Sequence, residues 1–128
     1  MDYVTGSPVG TTLQTCTPPV TSDPASIAAF DVCQWNNTLF GAAETTAGGT
    51  NIGAMIGARG CVTNSVATMP REFTVAVVWQ GIAPTAAPTT TTCGQNAYGN
   101  EATRRAMVMH VMIACLQNDP TTGVCITP

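Results

Sequence analysis

Six cysteines constrain this chain more than any other feature. Cys16, Cys33, Cys61, Cys93, Cys115 and Cys125 are spread through 128 residues, and no two form a C-x-x-C pair. A structural zinc site needs four nitrogen or sulfur ligands, usually as closely spaced pairs. The one histidine, His110, does not complete such a set. An even cysteine count in a loop-rich chain instead reads as disulfides formed in an oxidising compartment. Six cysteines allow 15 pairings, and the sequence alone does not choose among them.

The remaining composition bounds what the cross-linked domain can do. Apolar residues make up 45%, enough for a core in a single domain over residues 1–128, although aromatics are only 5%. Charged residues are 9%, with no lysine; the cations are Arg59, Arg71, Arg104 and Arg105, and the net charge is −3. Nucleic acid and a polybasic membrane contact both require clustered cations, so neither is an expected partner. The first residues, Met1-Asp2-Tyr3, open into polar chain, and no run is long enough to span a bilayer. With disulfides expected, this reads as a processed or engineered piece from whose front an apolar segment has been removed.

Along the chain, residues 1–21 are rich in Thr, Gly and Pro, and Pro18-Pro19 rules out a helix there. Asp23-Pro24 supplies an N-cap and a first-turn proline. Ala28, Val32, Trp35 and Leu39 follow at helical spacing beside Ile27 and Phe30, and Gly41 is a natural stop. A helix over about 24–40 is expected. Residues 44–60 form a Gly/Ala/Thr stretch that reads as a connection. In 73–80, Phe73, Val75, Val77 and Trp79 alternate with Thr74, Ala76, Val78 and Gln80, which predicts a strand with residues 61–66 as a shorter neighbour. Residues 82–92 are an exposed Pro/Thr/Ala loop. Over 100–116 helix formers compete with β-branched Val108, Val111 and Ile113; periodicity leaves helix slightly ahead of strand. Asp119-Pro120-Thr121-Thr122-Gly123 is a turn between two cysteines.

Two blocks carry a resemblance. Phe73-Thr74-Val75-Ala76-Val77-Val78-Trp79-Gln80-Gly81 is an apolar strand closed by Trp-x-Gly. Arg104-Arg105-Ala106-Met107-Val108-Met109-His110-Val111 is an apolar run led by paired arginines. In this order the blocks resemble the soluble head of bacterial type IV pilus minor pilins of the PilV kind, in which they are successive strands around a variable loop. A cysteine often precedes the paired arginines there, the place Cys93 takes, and Asp31 and Trp35 resemble the family's Asp…Trp pair on a helix. The resemblance spans about residues 23–115. It implies an α+β, pilin-like fold: one helix packed on an antiparallel sheet, disulfide-stabilised, with 100–116 becoming a strand from near Arg104. The expected pairing is Cys16–Cys33, Cys61–Cys93 and Cys115–Cys125.

The resemblance implies a non-catalytic subunit. It would join other minor pilins, help prime pilus growth near the tip and help display a tip adhesin. It would reach the membrane through the missing N-terminal helix. It would pass from the inner membrane and periplasm to the extracellular pilus, and the isolated head would be monomeric. A type II secretion pseudopilin is a close relative of this reading. No catalytic residue, cofactor or metal is expected. His110 has no second oriented group beside it in sequence and reads as a packed or edge-strand residue.

Arg104 and Arg105 are the candidate partner contacts, against the plainer reading of surface charge beside Glu72 or Glu101. Trp35 and Trp79 are expected as core anchors, largely buried at the helix–sheet seam. Met107, Met109 and Met112 are expected to fill core, the alternative being an adaptable binding surface. Asn36-Asn37-Thr38 matches a glycosylation sequon, discounted inside a helix. Competing functions are a stand-alone secreted adhesin or carbohydrate-binding module, and a small secreted enzyme. An ordinary signal peptide upstream of Met1, in place of a prepilin leader, would favour the adhesin.

Overall fold

A computed structural model describes residues 4–41, 46–49, 55–66, 71–114 and 121. Helix α1 runs Pro24–Phe40, the span its punctuation predicts. The Asp23 carboxylate accepts from the Ala25 and Ser26 amides at 3.1 and 3.2 Å, two of the donors a helix start leaves unpaired. At the other end Gly41 takes φ 85°, and its amide returns to the last-turn carbonyls of Asn37 and Thr38.

Three antiparallel strands follow in the order β1-β2-β3. They are β1 (Arg59–Val66), β2 (Arg71–Gln80) and β3 (Arg104–Ile113), the last entered through a 3-10 turn at Glu101–Thr103. The ambiguous segment is therefore a strand from Arg104 onward. Ten unbroken residue pairs with β2 outweigh the helix propensity of its Ala, Met and Arg residues.

Each face of the sheet has a different cover. One face carries Phe73, Val75, Val77 and Trp79 of β2, opposite Val62 and Gly60 of β1 and Val111, Met109, Met107 and Arg105 of β3. Helix α1 packs on this face over β1. The absence of a side chain at Gly60 admits it: an added Cβ would stand 2.6 Å from Trp35 Cζ2 and 2.7 Å from Leu39 Cδ1. The opposite face holds the tightest packing. Val78 and Ala76, at 0% and 2% exposure, lie with Cys93 among Cys61, Tyr98, Ala106 and Val108. A long connection between β2 and β3, not a helix, supplies that cover.

The expected core anchors Trp35 and Trp79 are both partly buried, and neither is exposed. Trp35 does sit at the α1–β1 seam, over Gly60. Trp79 stands opposite Arg105 near the end of the sheet. The helix covers the β1 side of its face, so the aromatic on β2 is left at the margin.

Disulfides tie both covers down. Cys16–Cys33 joins the N-terminal segment to α1, and Cys61–Cys93 joins β1 to the β2–β3 connection. They close loops of 17 and 32 residues, and on the chain-entropy model such loops contribute about 3 and about 4 kcal/mol. The expected Cys115–Cys125 bridge lies outside the described residues.

The N-terminal segment runs as a strap along the outer edge of β1. Val9 and Gly60 exchange amide–carbonyl bonds at 2.8 and 2.9 Å, and the Thr5 amide donates to Val62 at 3.0 Å. Asn36 clamps the strap from α1. Its Oδ1 accepts from the Gly10 amide at 2.7 Å, and its Nδ2 donates to the Thr12 carbonyl at 2.7 Å. Asn37 grips Gln14 in the same two-way manner, at 2.8 Å each. Asn36 is 1% exposed, so the sequon nitrogen is sealed in the folded chain and spent on structure.

Candidate functional surface at the free edge of the sheet

The strap covers the β1 edge, while β3 forms the opposite edge with no backbone partner beyond β2 among the described residues. An uncovered edge presents a row of unpaired amides and carbonyls. Folded proteins usually blunt such edges with charge, proline, bulges or a covering segment. From Ala106 to Ile113 β3 has no Asp, Glu, Lys, Arg or proline, keeps regular register with β2, and has no covering segment among the described residues.

The side chains along that edge are apolar and open. Met107, Met109, Val111 and Ile113 are 64, 58, 38 and 47% exposed on the α1 face, and Met112 is 68% exposed on the other. The core-filling expectation for the methionines is overturned: α1 lies on β1 and does not reach them. Unbranched, polarizable methionine suits a surface that adapts to a partner.

The paired arginines divide by alternation. Arg104 is 2% exposed and lies among the loop backbone. Its Nε donates to Glu101 at 2.8 Å, Nη1 to the Thr91 and Cys93 carbonyls at 2.9 and 3.1 Å, and Nη2 to the Pro88 carbonyl at 3.2 Å. The sequence made it a partner contact or a surface charge; burial makes it the pin of the β2–β3 connection. Glu101 is the carboxylate the sequence offered as a neighbour. Its pKa is held below the ordinary glutamate value, first by the Asn96 amide that donates to it at 2.6 Å and then by Arg104.

Arg105, on the α1 face, is half-buried. It donates to the carbonyls of Ala102, Arg104 and Ala83. It crosses Gly81, where an added Cβ would stand 2.9 Å from its Cζ. Tyr98, which the sequence reading missed, closes the core beneath the connection. Its hydroxyl donates to Gly57 at 2.8 Å, and burial raises its pKa.

His110 sits on the face away from α1. Its Nδ1 lies 2.9 Å from Glu72 Oε1 and 3.4 Å from Thr74 Oγ1. Both contacts meet at one ring nitrogen. A hydroxyl–histidine–carboxylate relay needs the two partners on different nitrogens, so these three residues do not form one. Among the described residues, no group of three or more His, Cys, Asp or Glu side chains could hold a metal ion. None of the described helices is long and apolar enough to cross a membrane. No family model, curated protein or solved structure matches the chain.

Proposed function

We propose that this chain is the head of a bacterial type IV pilus minor pilin of the PilV kind: a non-catalytic subunit that joins other minor pilins, helps prime assembly and stays near the pilus tip beside a tip adhesin. The observation that carries the reading is β3, an edge strand with no partner beyond β2 among the described residues, flanked by exposed Met107, Met109, Val111 and Ile113. A solitary secreted domain gains nothing from such an edge and risks aggregation by it. A subunit gains a docking site in which backbone bonds give affinity and side chains give selectivity. The order of the two sequence blocks supports the same reading, as does the disulfide framework of an exported protein. The isolated head is then monomeric or binds other heads at micromolar strength or weaker, at most about −8 kcal/mol.

The test is photocrosslinking of the full-length protein in a piliated cell, with a benzophenone amino acid at Met109 and, as control, at Ile82 on the far loop. Crosslinks to other minor pilins from position 109 and not from 82 support the proposal. Absence of such crosslinks, together with unchanged surface piliation on gene deletion, would falsify it.

A further inference from the structure

The sheet face opposite α1 holds a cleft of about 490 Å³, within the range of roughly 300–1,000 Å³ typical of small-molecule sites. We infer that this cleft binds a neutral glycan, taking a mono- or disaccharide unit. The inference stands on the cleft alone and does not depend on the pilus reading.

The walls of the cleft are fixed in place. Its floor is sheet: Cys61 and Thr63 of β1, Thr74 and Ala76 of β2, and His110 of β3. One wall is residues 5–8 of the strap, held to β1 by the Thr5 and Val9 backbone bonds. The other is residues 89–93, anchored by the Cys61–Cys93 disulfide and by the Arg104 guanidinium on the Thr91 and Cys93 carbonyls. Walls ordered before a ligand arrives spare it the entropy of ordering them.

The lining selects for a neutral polyol. No Asp, Glu, Lys or Arg lines the cleft, so it offers no permanently charged side chain to select a phosphate, a carboxylate or an ammonium group over a neutral polyol. Eight hydroxyls do line it, from one serine and seven threonines. Those of Thr5, Thr74 and Thr91 face bonds within the fold. Those of Ser7, Thr63, Thr89, Thr90 and Thr92 have no protein partner among the described residues. A hydroxyl donates once and accepts twice, the capacity a sugar hydroxyl also has. His110, whose Nδ1 lies 2.9 Å from Glu72 Oε1, lines the cleft beside these hydroxyls. Pro8 and the threonine methyls offer apolar area for the C–H face of a ring. An extended peptide fits less well. Strand addition needs a free backbone edge, whereas this floor is the side-chain face of paired strands, and the strap already occupies the adjoining β1 edge.

The test uses the chain as it stands, labelled with 15N and titrated in turn with maltose, cellobiose, lactose and N,N′-diacetylchitobiose. Inorganic phosphate and a neutral Ser/Thr-rich decapeptide serve as comparators. The expected result is saturable shifts of the Thr63, Thr74, Ala76 and 89–93 amides with at least one disaccharide. Thr63→Val and Thr92→Val keep near-isosteric side chains and remove hydroxyls that have no partner within the fold; each should melt with the parent and bind that sugar about tenfold more weakly, about 1.4 kcal/mol. The inference is overturned if no sugar gives a saturable shift, if the valine variants bind undiminished, or if only the peptide or phosphate shifts these amides.

Discussion

Replacing Arg104 with methionine tests whether a single buried guanidinium organises the β2–β3 connection. Methionine matches the stem of arginine and suits burial, so the substitution removes the charged fork and little packing. Four bonds go with it. The Cys93 carbonyl lies in the buried part of the set, and an acceptor left dry there costs about 1–3 kcal/mol. The Thr91 and Pro88 carbonyls are in partly buried bonds nearer the surface and can turn to water, losing about 0.5–1.5 kcal/mol each. The Glu101 side of the pair is open to water and screened, so its loss adds little. Relief from desolvating the guanidinium offsets part of the total. The net expectation is a loss of about 3 kcal/mol, near a 10 °C fall in melting temperature for a chain of this length. Urea titration reads the free energy, and amide exchange at Thr91–Cys93 reads the place. Arg105→Met is the control: its carbonyl partners lie in more open backbone, so about 1 kcal/mol is expected. If R104M melts within about 2 °C of the parent, or the two variants lose the same stability, the assignment of Arg104 as the pin is wrong.

Two further outcomes follow from the geometry. Gly60→Val drives a branched side chain into Trp35 and Leu39 and should cost about 1–3 kcal/mol by overpacking; a Trp35 fluorescence spectrum and urea midpoint both unchanged would show that α1 does not seat there. Glu101 is held below its unfolded pKa, chiefly by the Asn96 amide, so its stabilisation is present above the ordinary glutamate pKa and is lost as pH falls through the lower folded value. Glu101→Gln should therefore flatten that acid-side loss in a melting series, and an identical pH profile for both proteins would refute the linkage.

Much of the local structure was legible because it rests on residues adjacent in the chain. Asp23-Pro24 and Gly41 delimit α1 through bonds made within a turn of each end, and two-residue alternation declares β2 before any partner is known. The cysteine count likewise implied cross-links, and the expected Cys16–Cys33 and Cys61–Cys93 pairs are formed. Over residues 100–116 periodicity leaves helix slightly ahead; the resemblance to paired-arginine strands, not local propensity, points to a strand.

What only the tertiary structure decided is which side of each element is covered. Alternation separates Arg104 from Arg105, but only the folded β2–β3 connection, pulled across one face by Cys61–Cys93, determines that Arg104 is the buried one. Asn36 reads as a polar break in an apolar stripe until the strap runs beside it and takes both ends of its amide. Trp79 and the β3 methionines have the composition of core, yet α1 sits over β1 and leaves Met107 and Met109 open. Burial is a property of two surfaces brought together across long sequence separations, so the residues of one surface specify it only in part. Composition, caps and alternation determined that this chain is a disulfide-linked helix and sheet; where the helix landed determined that Met107 and Met109 on the β3 side of that sheet stay exposed.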